Sequence, residues 1–368
     1  MIRKIKVLVV DDSTVIRRLL TDALSSDPHI EVVGIAANGK IALAKIPQLN
    51  PDIITLDIEM PEMDGLATLV ELRKLYAKLP VIMFSTLTQR GAEATMDALS
   101  RGATDYVTKP ANVGSVTAAI QNVKNELIPR IKAFCPLIAP PSPVAPIIHR
   151  APGATGSTPI AAPRRGRIDV IAIGVSTGGP NALQAVIPAL PATLPAPIVI
   201  VQHMPPLFTK HLADRLNNLS NLRVCEAQDG DIVTAGGVWI APGDFHMVTV
   251  REGNAIRIRL NKETPENSCR PAVDVLFRSV ATVYGTNVLG VVLTGMGQDG
   301  ARGCGDIRTR GGRTIAQDAA TSVVWGMPGA VVNAGLADKV VPLGNIAHEI
   351  IQETQVGRQV RSLVGTGT

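Results

Sequence analysis

Ile53-Ile-Thr-Leu-Asp57-Ile-Glu-Met-Pro-Glu-Met-Asp64-Gly65 opens on a four-residue β-rich run that ends on an acid. Ile53–Leu56 has the length and composition of a buried strand. The amphipathic helical candidate Leu66–Leu75 follows it. The same unit recurs on both sides. Further strands are predicted at Val7–Val10, Glu31–Ala36, Val81–Phe84 and Asp105–Val107. Helices are predicted at Val15–Leu24, Gly39–Ile46, Ala92–Leu99 and Val113–Leu127. Alternating strands and helices imply a parallel sheet covered on both faces, doubly wound, with ligands at the carboxyl ends of its strands. Those ends carry Asp11 and Asp12, Asp57, Ser85 and Lys109.

The chain has 368 residues, too many for one ordinary core. Its net charge of +5 is localised. Residues 1–124 hold 14 basic and 14 acidic side chains, and residues 168–368 hold 16 of each. The 43 residues between hold 6 basic, 1 acidic and 9 of the 27 prolines. This is linker composition, so the chain divides into 1–124, a basic Pro-rich tether at 125–167, 168–355, and a polar tail at 356–368. Both foldable blocks are neutral and aromatics are 3% of the chain, which argues against nucleic-acid binding. No apolar run is long enough to span a membrane, and Asp11-Asp12 interrupts any signal-peptide core. The cysteines (135, 225, 269 and 304) form no C-x-x-C pair, which fits a reducing cytoplasm.

Three carboxylates at one sheet edge offer oxygen ligands to a hard cation, best matched by Mg²⁺. Lys109 and Ser85 would meet phosphoryl oxygens there. Asp or Lys at one strand end is commonly a simple cap; four polar strand ends in register are not. With Asp57-Ile-Glu-Met-Pro-Glu-Met-Asp64-Gly65 and Lys109-Pro110, residues 1–124 resemble the receiver domain of two-component response regulators. The resemblance implies Asp57 as the phosphorylated residue, and Asp11, Asp12, Asp57 and the Glu59 carbonyl as metal ligands. It implies Ser85 and Lys109 as phosphoryl-binding groups and Tyr106 as the switching aromatic.

In the second block, Val170–Val175, Ile198–Gln202 and Val288–Leu293 read as buried parallel strands. Helical stretches are predicted at Asn181–Leu190, Phe208–Asn217 and Ala272–Val283. Val238–Ile240, Met247–Val250 and Ile256–Leu260 read as antiparallel additions around turns at Gly243 and Gly253. The strand ends deliver Ser176 within Gly174-Val-Ser-Thr-Gly-Gly-Pro180, His203, and Asp299 within Thr294-Gly-Met-Gly-Gln-Asp-Gly300. A serine hydroxyl needs an imidazole base, and the imidazole needs an acid to orient it. A serine before glycines is more often a turn or a phosphate loop, and the Ser–His–Asp order disfavours the usual nucleophile-elbow hydrolases. Two other readings stay open at this point. One is a regulator whose second block only binds nucleic acid or a partner. The other is a nucleotide-binding enzyme, for which no ribose-binding acid is identifiable.

The motifs at 174–180, Gln202-His-Met-Pro-Pro206, Ala241-Pro-Gly-Asp-Phe-His-Met247, Arg270-Pro-Ala-Val-Asp274 and 294–301 resemble the protein-glutamate methylesterase of bacterial chemotaxis. The resemblance implies a flavodoxin-like receiver joined to a Rossmann-like α/β hydrolytic domain with a small antiparallel insertion. It implies Ser176 as nucleophile, His203 as base and acid, Asp299 as orienting carboxylate, and Thr177 and Met296 as oxyanion support. Glutamate γ-methyl esters and certain glutamines of chemoreceptors would be the substrates, and a histidine kinase the phosphodonor. The receiver would need Mg²⁺, and the esterase no cofactor. Neither nucleic acid nor membrane insertion is implied, and the location is cytoplasmic. Two departures stand out: Asn267-Ser-Cys269 where a run ending in His is expected, and Phe245 in place of a polar residue. Both are expected to lie clear of the Ser–His–Asp set.

Overall fold

The computed structural model describes residues 3–109, 116–135 and 166–356. Pro110, most of the basic tether and nearly all of the tail lie outside the described residues.

The first block is β1 (Ile5–Val10), α1 (Thr14–Ser25), β2 (Ile30–Ala36), α2 (Gly39–Leu49) and β3 (Ile53–Asp57), then α3 (Gly65–Leu75), β4 (Val81–Ser85), α4 (Gln89–Ser100), β5 (Asp105–Thr108) and α5 (Val116–Phe134). The sheet order is β2-β1-β3-β4-β5, every pairing parallel. β1 and β3 are neighbours where the winding reverses, so their carboxyl ends open onto the ligand crevice of such a sheet. β3 and β4 are buried throughout, and removing a side chain such as Leu8, fully buried in β1, would cost about 2–5 kcal/mol. Ser13, Asn38, Asp64 and Thr88 each cap the following helix by accepting a backbone N–H. α5 runs past its expected end at Leu127 because Leu127 and Ile131 are buried in the core and Arg130 pairs with Asp105 at 3.1 Å.

The second block is β6 (Val170–Val175), α6 (Gly179–Val186), β7 (Ile198–Gln202), α7 (Phe208–Leu219), β8 (Arg223–Glu226), β9 (Gly237–Ile240), β10 (His246–Glu252) and β11 (Ala255–Asn261). It continues with α8 (Val273–Tyr284), β12 (Val288–Val292), α9 (Ala301–Thr309), β13 (Arg313–Gln317), α10 (Met327–Asn333), β14 (Lys339–Val341) and α11 (Leu343–Gln355). Seven strands form a parallel sheet in the order β14-β13-β12-β6-β7-β9-β8. One expectation is corrected: residues 238–240 belong to β9, which pairs parallel with β7 and β8 inside this sheet. Only β10 and β11 form the antiparallel hairpin.

The two blocks touch. α4 packs on α7 and α6, and one apolar cluster contains Met96, Leu99 and Tyr106 together with Phe208 and Leu212. The Tyr106 ring stacks on Phe208 with centroids 4.9 Å apart and planes 8° from parallel. Asn181 Nδ2 donates to the Ala103 carbonyl at 3.3 Å.

Candidate functional site

At the carboxyl edge of the first sheet, carboxylate oxygens of Asp11, Asp12 and Asp57 lie within 4.8 Å of one another. Lys109 Nζ stands 2.9 Å from Asp11 Oδ2 and 2.8 Å from Asp57 Oδ2. Burial, then the neighbouring Asp11 charge, lifts the Asp57 carboxyl to about 6 against the pull of Lys109. Asp11 Oδ2 is buried and faces the Lys109 ammonium. Three carboxylates gathered around one lysine form an all-oxygen donor set, which fits a hard divalent cation. A cavity of about 230 Å³ opens over Asp57, bordered by Asp12, Glu59, Ser85 and Lys109. The Ser85 hydroxyl donates to the Gly91 carbonyl at 3.1 Å, so it must rotate to meet a phosphoryl oxygen. Glu59 is exposed, with Arg90 3.6 Å from its carboxylate. Tyr106 lies in the interface between the blocks rather than beside this cavity.

On the second sheet, Ser176 follows β6 and His203 follows β7, each one step past the paired residues Val175 and Gln202. Gln202 ties the two turns together, donating from Nε2 to the carbonyls of Ser176 at 3.1 Å and His203 at 3.2 Å. Gly295 follows β12, and a Cβ there would collide with Met327 Sδ and Ser176 Cβ, so glycine lets the third loop close on the serine. His203 Nε2 is 2.8 Å from Asp299 Oδ2.

Asp299 is held from every side. Its oxygens accept from Val273 N at 2.7 Å, Asp274 N at 2.9 Å, Gly300 N at 3.0 Å and Asn267 Nδ2 at 2.7 Å. Ala272, the N-cap of α8, has no side-chain acceptor, so the Asp299 carboxylate takes that part at the positive end of the helix. Asp274 returns the favour for the loop that carries Asp299, accepting from Gly300 N and Gly303 N at 2.9 and 2.7 Å. Burial raises the Asp274 carboxyl. Burial also disfavours charge on Asp299, but the His203 and backbone hydrogen bonds outweigh it and hold that carboxyl below its ordinary value. Asn267 bridges the pair, with φ of +53 and the following Ser268 at +62, a left-handed turn that aims its amide at both acids.

Ser176 is not yet engaged. Among the described residues no hydrogen bond joins its hydroxyl to His203; Nε2 is on Asp299 and Nδ1 is 3.6 Å from Cys269 Sγ. This corrects the expectation that Cys269 stands clear of the set. Phe245 lies under Lys262, with the ammonium 4.5 Å from its ring. The N–H groups of Thr177 and Met296 have no protein partner among the described residues. Gln202, Asn267 and Asp274 hold the site together without a motif that assigns them a role from sequence. A glutamine ending an apolar strand and an acid in the first turn of an uncapped helix are the signals that single out two of them.

The fold and the two polar clusters define a response-regulator receiver joined to a hydrolytic α/β domain. The family models agree: "Response regulator receiver domain" matches residues 7–121 and "CheB methylesterase" matches residues 171–350. A protein-glutamate methylesterase/protein-glutamine glutaminase of Trichodesmium erythraeum is 54% identical over 95% of this chain and 99% of its own. One from a Nocardioides species is 52% identical over 99% of this chain and 98% of its own. The crystal structure of the Thermotoga maritima CheB methylesterase catalytic domain matches 50% of this chain and 98% of its own, with 46% identity and a TM-score of 0.50. The chain belongs to the protein-glutamate methylesterase/protein-glutamine glutaminase family.

Proposed function

We propose that the protein hydrolyses glutamate γ-methyl esters on chemoreceptor cytoplasmic segments, and deamidates receptor glutamines, by a Ser176–His203–Asp299 mechanism under the control of Asp57. The observation that carries this is the His203–Asp299 pair, bonded at 2.8 Å at the edge that also presents Ser176. Asp299 fixes Nε2 as the protonated nitrogen, which leaves Nδ1 to accept the Ser176 proton once the Cys269 thiol yields it. Attack of Oγ on the ester carbon forms a tetrahedral intermediate, whose oxyanion the free N–H groups of Thr177 and Met296 are suited to receive. His203 then returns the proton to the departing methoxide, or to the amide nitrogen, which leaves as ammonia, and water repeats the sequence on the acyl-serine. Both reactions are acyl transfers, so one centre serves both.

Receivers in general are phosphorylated in a Mg²⁺-dependent reaction. Here Asp11, Asp12, Asp57 and the Glu59 carbonyl would hold the ion, which offsets the repulsion between a carboxylate nucleophile and an incoming phosphoryl group. A histidine kinase is the phosphodonor in this reading. Lys109 and a rotated Ser85 would bind the transferred group. No helix among the described residues is long and apolar enough to cross a membrane, and the reading places the enzyme in the cytoplasm. The deciding measurement is methanol release from methylated receptor by the wild type and by Ser176→Ala. Release that survives the substitution overturns the assignment.

A further inference from the structure

We propose that His203 Nδ1 and Cys269 Sγ form a binding site for a thiophilic divalent cation, best matched by zinc, whose occupancy switches the serine centre off. The two atoms are 3.6 Å apart. Tetrahedral zinc, with Zn–N near 2.0–2.1 Å and Zn–S near 2.3 Å, holds such a pair of ligands about 3.6 Å apart. The pair is therefore already at chelating distance.

The surroundings favour the same ion. Donor atoms of His203, Cys269 and Asp299 all lie within 4.8 Å of one another. With Nδ1 on the metal, Nε2 keeps its 2.8 Å bond to Asp299, the outer-carboxylate arrangement usual behind a metal-bound imidazole. Cys269 is half-buried, so solvent can complete the coordination. Among the described residues the other group able to hold a metal is Asp11, Asp12 and Asp57, which offers only oxygen. Oxygen donors suit Mg²⁺, whereas nitrogen and sulfur suit zinc, so the two ends of the protein sort two kinds of cation.

The chemistry balances without an oxidant. The cation forms bonds to Sγ and Nδ1, the thiol proton leaves to solvent, and any proton on Nδ1 leaves with it. The nitrogen that must take the Ser176 proton is then occupied. Inhibition rests on the serine-hydrolase reading; binding does not.

Full-length protein with saturating Mg²⁺ on the receiver is titrated with Co²⁺, a coloured stand-in for zinc. A thiolate-to-cobalt charge-transfer band is expected in wild type and Ser176→Ala, and is expected to be lost in Cys269→Ala and Cys269→Ser. Zinc is expected to inhibit ester hydrolysis reversibly, with EDTA restoring the rate. Relative to each protein's own uninhibited rate, Cys269→Ala should raise the half-inhibitory zinc concentration by more than about 100-fold, beyond the usual effect of losing an outer-shell partner. Absence of the band in wild type, or equal zinc sensitivity in wild type and Cys269→Ala, overturns the site. If Ser176→Ala kept its esterase activity, the hydrolase reading would fail while the cobalt band still decided the metal site.

Discussion

The two polar clusters sit at equivalent places, the carboxyl ends of parallel strands, yet they are built differently. Asp57 is the last residue of β3, Asp11 follows β1 and Lys109 follows β5, so sheet register alone brings them together. Ser176 and His203 are set by register in the same way, but Asp299 arrives on a loop between β12 and α9. That loop needs the Asp274–Asn267 bridge and the α8 terminus to hold its acid still. The receiver cluster is electrostatically closed, two acids on one lysine. The hydrolytic cluster is open: among the described residues the serine hydroxyl is unbonded, and a thiol lies 3.6 Å from the imidazole. A register-built site tolerates loop changes; a loop-built site does not.

The largest expected effect tests the register-built half of the second cluster. Ser176→Ala and His203→Ala should each reduce ester hydrolysis by several orders of magnitude, because nucleophile and base act as a unit. Asp57 phosphorylation by a small phosphodonor should be unchanged in both. Retained turnover in either variant would mean that another group is the nucleophile or base.

The loop-built half should respond in graded fashion. Asp299→Asn is expected to lose about 10²–10⁴ in kcat, since the amide mis-sets the imidazole without removing it. Asp274→Asn keeps the shape and one acceptor oxygen for the loop amides but loses the charge, and is expected to cost roughly 10–100-fold, the range seen when a supporting partner of a site residue is lost. The loss should fall in kcat with KM nearly constant, because Asp274 acts through Asp299 rather than on substrate. A rise in KM alone would place it at the substrate instead.

A pH profile separates the clusters again. Burial works against charge on His203, but the hydrogen bonds to Asp299 and Cys269 outweigh it and push the imidazole up to about 9. The base must be neutral, so kcat/KM with trace metals chelated should rise with pH through about 9. The folded imidazolium's contribution to stability is complete below the ordinary 6.5 and is lost as pH rises through about 9. Cys269→Ala removes one of the raising contacts and should move the rate midpoint down. A midpoint that ignores Cys269 would show that the thiol does not address Nδ1 in solution.

What the sequence discloses follows the same division. Ile53–Leu56 and Val170–Val175 are legible because strands buried on both faces must be apolar, and the polar residues ending them stand out. Arg223–Glu226 and Arg313–Gln317 do not announce themselves as strands, because their mixed composition carries no period and their pairing is decided by neighbours across the sheet. Val238–Ile240 reads as part of the antiparallel addition because three apolar residues do not reveal which strand they pair with. Cys269 and Asp274 illustrate the limit for sites. Their approach to His203 and Asp299 is a matter of loop path, set by the left-handed turn at Asn267 and Ser268, which no local pattern announces.

The smallest expected effect lies where the two blocks meet. α6 and α7 follow Ser176 and His203 directly, and they are the helices that α4 of the receiver touches. A change at Asp57 that moves Tyr106 must therefore be felt at Phe208, five residues beyond His203. A stacked aromatic pair contributes about 0.5–1.5 kcal/mol beyond its burial, a factor of roughly 2–10 in a two-state population. Phe208→Leu keeps the apolar contact and loses the stack. If the docked receiver restrains the hydrolytic domain, this variant should raise basal ester hydrolysis about 2- to 10-fold and shrink the further stimulation by phosphodonor and Mg²⁺ in proportion. Asp57→Asn should abolish that stimulation while leaving the basal rate of Phe208→Leu elevated. Lower basal activity in Phe208→Leu with its stability intact would reverse the sign, making the Tyr106–Phe208 stack a contact that supports the active arrangement.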